Sequence, residues 1–583
     1  MRKLFLSLAF VAVATFAMAN PFVWPANWTV TPAGDAVVGG VYRDHSTSDP
    51  RTFNPIVSAE QNALVDITDL QGASLLLRGP DSDAWIPYAA ESYTLSDDGT
   101  VIDVVLRDGI KWSDGTPVTV QDYFMRYLIE TDPDAGSNAF SSWFLNDVPI
   151  VVEVTGTSSL RFTFPGPDRL AFPVAALLPI PDHVFGEAYR SGGAEAVKAL
   201  WGTESDVGNV LTTGPFRPTL FAPGERVVFV RNPYFGDWNV DEAGAPLPYL
   251  DGMVTTIVGS ADSALNLYLA GDIDTFQPRN LDDIGVINVA VQNGDIDAVV
   301  LEAVAPVARS LFIVFNWNKA SDPVMEATFR NVNFRRAMWH LVDRDAIIEL
   351  VYGGNALPMH TQVYLPNTFW LNDDVAKYDF DPERALELLA LAGWSRRDAQ
   401  GFLVNDAGRR LAFTLATNAG NVQREQTMQI FADDARSIGV DVTTTPLDFS
   451  LLVDQLLSTG DDRPWDAILI GLFRGSRDWP SGSNVDTCSG NLHMFNTSGT
   501  CLTPQETLVD ELHKLGRATL DTDRAREIMF EIQAIQADQA QVVYTVSPLA
   551  NYSWLSVVQG EHPIAYLNDE VGARQLALTW MSR

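Results

Sequence analysis

The sequence predicts an α/β protein built from more than one globular unit. Three observations carry that reading. The chain has 583 residues, enough for a large core and for division into several units. Between residues 411 and 472 apolar runs alternate as strand (411–417), helix (423–438), strand (440–444), helix (450–457) and strand (467–472). Between residues 93 and 128 a hairpin feeds through two further turns into a capped helix.

Taken from the start, the first element is a targeting segment. Arg2-Lys3 is basic, residues 4–16 are apolar, and Ala17-Met18-Ala19 is a small-x-small cleavage site before Asn20. The apolar run is shorter than the roughly 20 residues that span a bilayer. No Cys follows the cleavage site, which argues against a lipid anchor. No later run reads as a membrane span. The expected product is an exported, soluble protein, most simply periplasmic. Residues 20–32, with Trp24, Trp28 and three prolines, read as an extended arm.

Residues 41–43 form a first strand, and a loop with Asp49 and Arg51 follows. Residues 93–95 and 101–106 pair around Asp97-Asp98-Gly99. Arg107-Asp108-Gly109 and Ser113-Asp114-Gly115 are turns, where Gly takes positive φ readily. Thr119 and Asp122 have capping-box spacing, and Val118 can staple onto Tyr123. Val120, Phe124, Tyr127 and Leu128 share a face of that helix. Residues 148–154 and 160–164 are strands, while 172–181 are too proline-broken for a long helix. Residues 227–230 belong to a hairpin, 262–270 to a helix ending at Gly271, and 273–276 to the next strand.

Residues 311–317 form a buried strand ending in Asn316-Trp317-Asn318. Asn333 is expected to cap a helix with Phe334, Ala337, Met338 and Leu341 inside. Asp343 caps the next, with Ala346, Ile347, Leu350 and Val351 inside and Gly353-Gly354 at its end. Asp381-Pro382 starts a third, with Ala385, Leu388, Leu389 and Ala392 inward and Gly393 as stop. After the alternating region, 523–537 is an amphipathic helix and 542–546 a strand.

Charge and motifs exclude several functions. Lys+Arg total 39 against 74 Asp+Glu, a formal charge of −35, which repels nucleic acid and anionic membrane surfaces. There is no G-x-S-x-G elbow, H-E-x-x-H helix or P-loop. The 7 histidines (His45, His183, His340, His360, His493, His513 and His562) are scattered, none paired at helical ligand spacing. Two of the many carboxylates could face each other as in a glycosidase, but abundance alone carries little weight. No enzyme activity, cofactor or metal is expected. Cys488 and Cys501, the only 2 cysteines, share a Gly/Ser/Thr/Asn-rich loop of an exported chain and are expected to form a disulfide. The alternative is a metal-thiolate pair with His493 between them.

Three blocks of residues resemble the extracellular solute-binding protein family 5, the dipeptide- and oligopeptide-binding receptors of ABC importers. The first is Tyr88-Ala89-Ala90-Glu91-Ser92-Tyr93, Asp97-Asp98-Gly99, Leu106-Arg107-Asp108-Gly109, Asp114-Gly115-Thr116-Pro117 and Thr119-Val120-Gln121-Asp122, with Val120 where the family usually has Ala. The second is Thr213-Gly214-Pro215-Phe216, Pro223-Gly224-Glu225 and Arg231-Asn232-Pro233-Tyr234. The third is Asp381-Pro382 through Gly393-Trp394. The resemblance runs from about residue 41 to about residue 554 and implies a periplasmic-binding-protein-like fold, two α/β lobes around a cleft plus an extra lobe. Lobe I would be residues 20–65, 214–306 and 547–583, the extra lobe II residues 66–213, and lobe III residues 307–546. Residues 1–19 would be removed.

The implied function is that of a monomeric receptor that captures a peptide by hinge closure and hands it to a membrane permease and its ATPase. Peptide receptors of this family often carry Asp-Tyr-x-x-Pro or Asp-Tyr-Pro-Asp-Pro after a strand, the Asp pairing with the peptide's α-ammonium. Asp478-Trp479-Pro480 matches the first half and Ser481-Gly482 replaces the second. Asp478 is therefore either the ammonium anchor or the partner of Arg474 or Arg477 in its own loop. Trp317 with Asn318, and Trp479, are expected near ligand; Asp49 and Arg51 either line the cleft or sit in a solvated loop. Without an ammonium anchor, tryptophans would suit an oligosaccharide, so peptide is the first reading, a sugar or other small solute the second, and a secreted glycoside hydrolase the remote third.

Overall fold

The computed structural model describes residues 36–58, 72–78, 84–241, 243–304, 306–307, 309–365, 367–473, 477–560 and 576–582. The expected targeting segment and arm, Arg474 and His562 lie outside the described residues. Strand β1 (Val41–Ser46) opens the chain, which then leaves for an inserted sheet. That sheet comprises β2 (Ala90–Leu95), β3 (Val101–Leu106), β4 (Val151–Val154) and β5 (Ser159–Thr163), antiparallel in the order β2-β3-β5-β4. Helix α1 (Val120–Glu130) packs on it, started by the Thr119–Asp122 capping box.

The chain returns through β6 (Phe216–Ala222), β7 (Arg226–Arg231) and β8 (Gly252–Ile257), giving the order β1-β8-β7-β6 with β1 and β8 parallel. Helix α2 (Ala261–Ala270), strand β9 (Thr275–Phe276), helix α3 (Leu281–Asn293) and strand β10 (Ala298–Leu301) follow.

A third sheet begins at β11 (Arg309–Phe315). Then come α4 (Val332–His340), α5 (Arg344–Tyr352), β12 (Ala356–Pro358) and α6 (Pro382–Leu391). Next are β13 (Ala412–Asn418), α7 (Val422–Ser437), β14 (Asp441–Leu447), α8 (Phe449–Leu457) and β15 (Ala467–Phe473). Helices α9 (Pro504–Arg517) and α10 (Thr522–Gln539) and strands β16 (Val543–Tyr544) and β17 (Val546–Pro548) close this part. The sheet order is β14-β13-β15-β11-β16, with β13 parallel to both β14 and β15. Strand β18 (Tyr552–Leu555) then pairs back between β9 and β10. We call the sheet of β1, the inserted sheet and the third sheet, each with its helices, lobes I, II and III.

The cores show which lobes are packed together. One apolar cluster joins Tyr42, Phe53, Phe216 and Met253 of lobe I to Met125, Ile129, Phe185 and Trp201 of lobe II. A void of about 10 Å³ at that junction, lined by Trp112, Pro179, Ile180 and Trp201, has room for about one water. Lobe III has its own core around Phe315, Phe329, Phe334 and Phe413. It is tied to lobe I by two crossing strands of chain: Val304 N–H donates to Ala550 O and Val307 N–H to Pro548 O, each at 2.9 Å.

Local details correct two expectations. Helix α4 is capped by Asn331, whose side chain accepts from Asn333 N–H, because the chain turns two residues earlier than the apolar pattern indicates. Leu350 on α5 is 74 % exposed, since the helix turns that face to solvent beside the lobe I boundary. The Cys488–Cys501 disulfide is formed, with Cα atoms 5.1 Å apart, so neither sulfur is a thiolate ligand; His493 Nε2 lies 3.3 Å from Glu506 Oε1 instead. Among the described residues no helix is long and apolar enough to cross a membrane.

Two predictions follow from these contacts. Closing a loop of 13 residues' separation constrains the unfolded chain, so the Cys488→Ala/Cys501→Ala double variant should lose about 3 kcal/mol of unfolding free energy by denaturant titration. On α7, burial and then the neighbouring Asp343 and Asp433 push Asp434 from 3.8 up to about 6. The folded state thus binds this proton more tightly than the unfolded chain, and its contribution to stability falls as pH rises from about 4 through about 6. Asp434→Asn should raise the thermal midpoint at about pH 8 and leave it nearly unchanged at about pH 4.

Candidate functional site

The parallel strands of lobes I and III point their carboxyl ends at one seam. In lobe I, β1 and β8 end at Ser46 and Ile257; in lobe III, β13, β14 and β15 end at Asn418, Leu447 and Phe473. Gly420, just after β13, comes so close to lobe I that a Cβ there would lie 3.1 Å from the Gly259 carbonyl oxygen. Gly353, after α5, faces Leu281 at the start of α3. Open α/β sheets bind ligands outside the carboxyl ends of their strands, so this seam is the candidate site. A larger hollow of about 200 Å³, lined by residues 37–41 and Met581, lies at the opposite, amino end of β1.

Lobe III is also fastened to lobe II. Arg517, at the end of α9, grips Asp168 with both arms: Nε to Oδ1 at 2.9 Å and Nη2 to Oδ2 at 2.6 Å. Both side chains are nearly inaccessible, at 2 % and 0 %. The remaining guanidinium hydrogens reach the carbonyls of Ser142 and Phe144 at 3.0 Å and Ser483 Oγ at 3.1 Å. Arg169 of lobe II returns the grip, donating to the carbonyls of Asp478 at 3.1 Å, Thr519 at 3.0 Å and Leu520 at 3.1 Å, with its guanidinium over Trp370. Lys514 Nζ meets Asp147 at 2.8 Å on the rim.

The residues singled out from sequence fall on both sides of these contacts. Asp478 is at the lobe II–III boundary, and its carboxylate pairs with Arg78 of lobe II, whose guanidinium also lies over Trp85. Arg51 bridges to Asp454 on α8, so it does join lobe I to lobe III. Asp49 accepts from Gly224 N–H at 3.0 Å through its carboxylate and closes a turn within lobe I.

Trp479, Trp317 and Asn318 are corrections: all three are buried, at 0 %, 1 % and 1 %, and present no face to the seam. Trp479 packs with Trp370, Val509, Ile528 and Ile532. Gly516 on α9 makes the room, since a Cβ there would be 2.1 Å from the Trp479 ring. Trp317 packs on Phe495 and under the Arg335 guanidinium. Asn318 ties its loop to Thr497 N–H at 2.8 Å and to Asn496 at 3.2 Å.

Ser481, at the point of departure from the peptide-receptor pattern, enters a buried chain of hydrogen bonds. Ser483 lies 3.0 Å from His513 Nε2, and Ser481 lies 2.6 Å from His513 Nδ1 and donates to Asp486. Burial, reinforced by Arg517 and Lys514, pulls His513 down to about 3, so the ring is neutral. Trp479 Nε1–H donates to the same His513 Nδ1 at 3.3 Å, and Arg517 Nη1 donates to Ser483 Oγ at 3.1 Å. Serine, histidine and aspartate meet here without forming a nucleophile site, because Asp486 bonds the serine rather than the ring and the group is sealed from solvent. Its role is to seat Arg517. Sequence spacing could not show Arg517, Asp168, Arg169 or Arg78, whose partners lie hundreds of residues away.

The model of the bacterial extracellular solute-binding proteins, family 5 Middle, matches residues 84–491, well over half of the chain. The chain belongs to this family. A probable ABC transporter-binding protein of Deinococcus radiodurans is 37% identical over 100% of both chains. Among solved structures, the oligopeptide-binding protein AppA of Bacillus subtilis in complex with a nonapeptide has a TM-score of 0.78 at 20% identity, covering 94% of this chain and 100% of that one. MelB of Agrobacterium fabrum in complex with stachyose has a TM-score of 0.78 at 19% identity, covering 94% and 85%. At such identities these two structures establish the fold. Family 5 is a family of solute-binding proteins rather than enzymes, and the expected two α/β lobes with an inserted third are what this member has.

Removing one partner of a buried ion pair leaves the other charge stranded. Asp168→Asn should therefore lower unfolding free energy by about 3 kcal/mol or swing lobe III away from lobe II to rehydrate Arg517. Solution X-ray scattering of the variant should show a larger radius of gyration if the second relief operates. Unchanged scattering together with unchanged stability would refute the fastening role.

Proposed function

We propose that this chain is the substrate-binding protein of an ABC importer and captures peptides between lobe III and the joined body of lobes I and II. The observation that carries this is the division of the cores. Lobes I and II share one apolar cluster, lobe III has another, and two chain crossings connect them. A body so divided turns about its crossings, and a ligand bridging both sides favours the closed form. The lobe boundaries are those expected from sequence: 66–213 for lobe II, 307–546 for lobe III and the rest of the mature chain for lobe I. The exported protein is a monomer, cleaved after Ala19 and released to the periplasm, and it delivers its ligand intact to a membrane permease driven by an ATPase.

Peptide is favoured over oligosaccharide by a specific placement. Sugars stack on exposed indole faces, and the two tryptophans expected near ligand, Trp317 and Trp479, are interior. AppA, of the same fold, was solved with a nonapeptide. MelB, equally similar in fold, was solved with stachyose, which makes oligosaccharide the second reading. Asp478 is already paired with Arg78, so a peptide ammonium bound there would share that partner.

Incubating the protein with mixed peptides and cello-oligosaccharides, then analysing bound and free pools by mass spectrometry, tests the proposal. Peptides recovered unaltered and near one per protein are expected. Capture of oligosaccharides alone would overturn the peptide assignment, and new cleavage products would overturn the receptor role.

A further inference from the structure

The Cys488–Cys501 disulfide closes a loop of lobe III that reaches lobe II, where Asn491 donates to Asn138. Two further donor groups are packed against the bridge. The Cys488 sulfur, a ring nitrogen of His493 and a carboxylate oxygen of Glu506 lie within 4.8 Å of one another, and all three residues are buried. His493 Nδ1 donates to Val485 O at 2.6 Å, so Nε2 is the nitrogen that faces Glu506 Oε1, at 3.3 Å. Glu506 is held from behind. Its Oε2 accepts from Leu502 N–H at 3.1 Å and Thr503 Oγ1 at 3.0 Å, and its Oε1 from Asn496 Nδ2 at 2.7 Å. Asp510 is also within reach of both sulfurs, but its oxygens are engaged, Oδ1 by Cys488 N–H at 3.1 Å and Oδ2 by Lys514 at 2.9 Å.

An imidazole whose outer N–H is tied to a carbonyl, beside a carboxylate oriented by its own donors, is the preparation that zinc ligands receive from their surroundings. Sulfur, imidazole nitrogen and carboxylate oxygen in one buried shell suit zinc, whereas calcium and magnesium take oxygens alone. Zinc donors stand roughly 2.0–2.3 Å from the ion and so about 3.5 Å from each other, a spacing that this cluster reaches with small side-chain shifts. In the oxidised chain the two sulfurs are bonded to each other. Thiolate is the one component that the set lacks.

We propose that the reduced chain binds a zinc ion here, through the Cys488 and Cys501 thiolates, His493 Nε2 and Glu506 Oε1. A dithiol reductant gives two electrons and two protons to the bridge: the S–S bond breaks, the reductant leaves as its own disulfide, and both cysteines become thiols. Zinc takes the sulfurs as thiolates, and their protons leave to solvent. The ion then closes the same loop that the disulfide closes, and Asn491 keeps its place against lobe II in either redox state. The site is independent of what the seam binds.

The test compares the mature protein oxidised, reduced under a phosphine, and reduced as His493→Ala. His493 is the ligand to vary because Glu506 also belongs to the cap of α9. The reduced protein should withdraw about one zinc per chain from a chromogenic indicator, and the oxidised protein none. Cobalt in place of zinc should give the charge-transfer absorption of thiolate ligation. Zinc should also restore most of the thermal midpoint lost on reduction. His493→Ala should hold zinc about a hundred-fold or more weakly, since loss of an outer partner alone costs roughly 10- to 100-fold. Cys501→Ser, which removes one sulfur together with the bridge, should show a similar loss. Equal zinc uptake by oxidised and reduced protein overturns the inference. Uptake that His493→Ala leaves unchanged also overturns it, because that is how an unfolded dithiol behaves. Zinc bound without recovery of the midpoint overturns it as well, because the ion is then not closing the loop.

Discussion

The bidentate pair between Arg517 and Asp168 is the contact on which the arrangement of this molecule turns. Two charges withdrawn from water lose several kcal/mol of hydration each, about as much as their mutual attraction returns. The pair is therefore near break-even, and it is held in geometry by the carbonyls of Ser142 and Phe144 and by the hydroxyl of Ser483. Swinging lobe III away does not strand either charge, since both return to water. A fastening of this kind keeps two bodies in register without committing them, and small differential contacts then decide between open and closed forms.

The same economy explains the interior of an acidic chain. Several arginines inside lobe III donate to backbone carbonyls rather than to acids. Arg335 donates to the carbonyls of Phe329, Gln539 and Ala540, and Arg344 to those of Tyr378, Tyr544 and Thr545. Arg463 reaches Met494 O, and Arg169 does the same across the lobe boundary. Burial pulls Arg335 and Arg463 down to about 9 and Arg344 to about 10, yet each is held by a fan of carbonyl oxygens at helix or strand ends.

Much of the local structure was legible in the sequence because its causes are local. The Thr119–Asp122 box, the Asp343 and Asp381 caps and the Gly271 stop each depend on residues within a turn, and each stands where the pattern puts it. The cysteine pair is close enough in sequence for its loop to be read as a unit. The Asn331 cap was missed because two asparagines two residues apart offer the same chemistry, and only the path of the preceding chain chooses between them.

The chain by itself determined its family, its three-block scaffold, its acidity and the starts and stops of most helices, since these follow from short-range pattern and hydrogen-bonding chemistry. Tertiary structure decided the direction in which Trp479 turns, because that depends on Gly516 far along the chain leaving a hole of the right shape. It decided that Asp478 would meet Arg78, 400 residues away. It also decided that Arg424 would end beside Arg309. A residue's type says what it is able to bind; which neighbours it is given is settled only when distant segments compete for the same space.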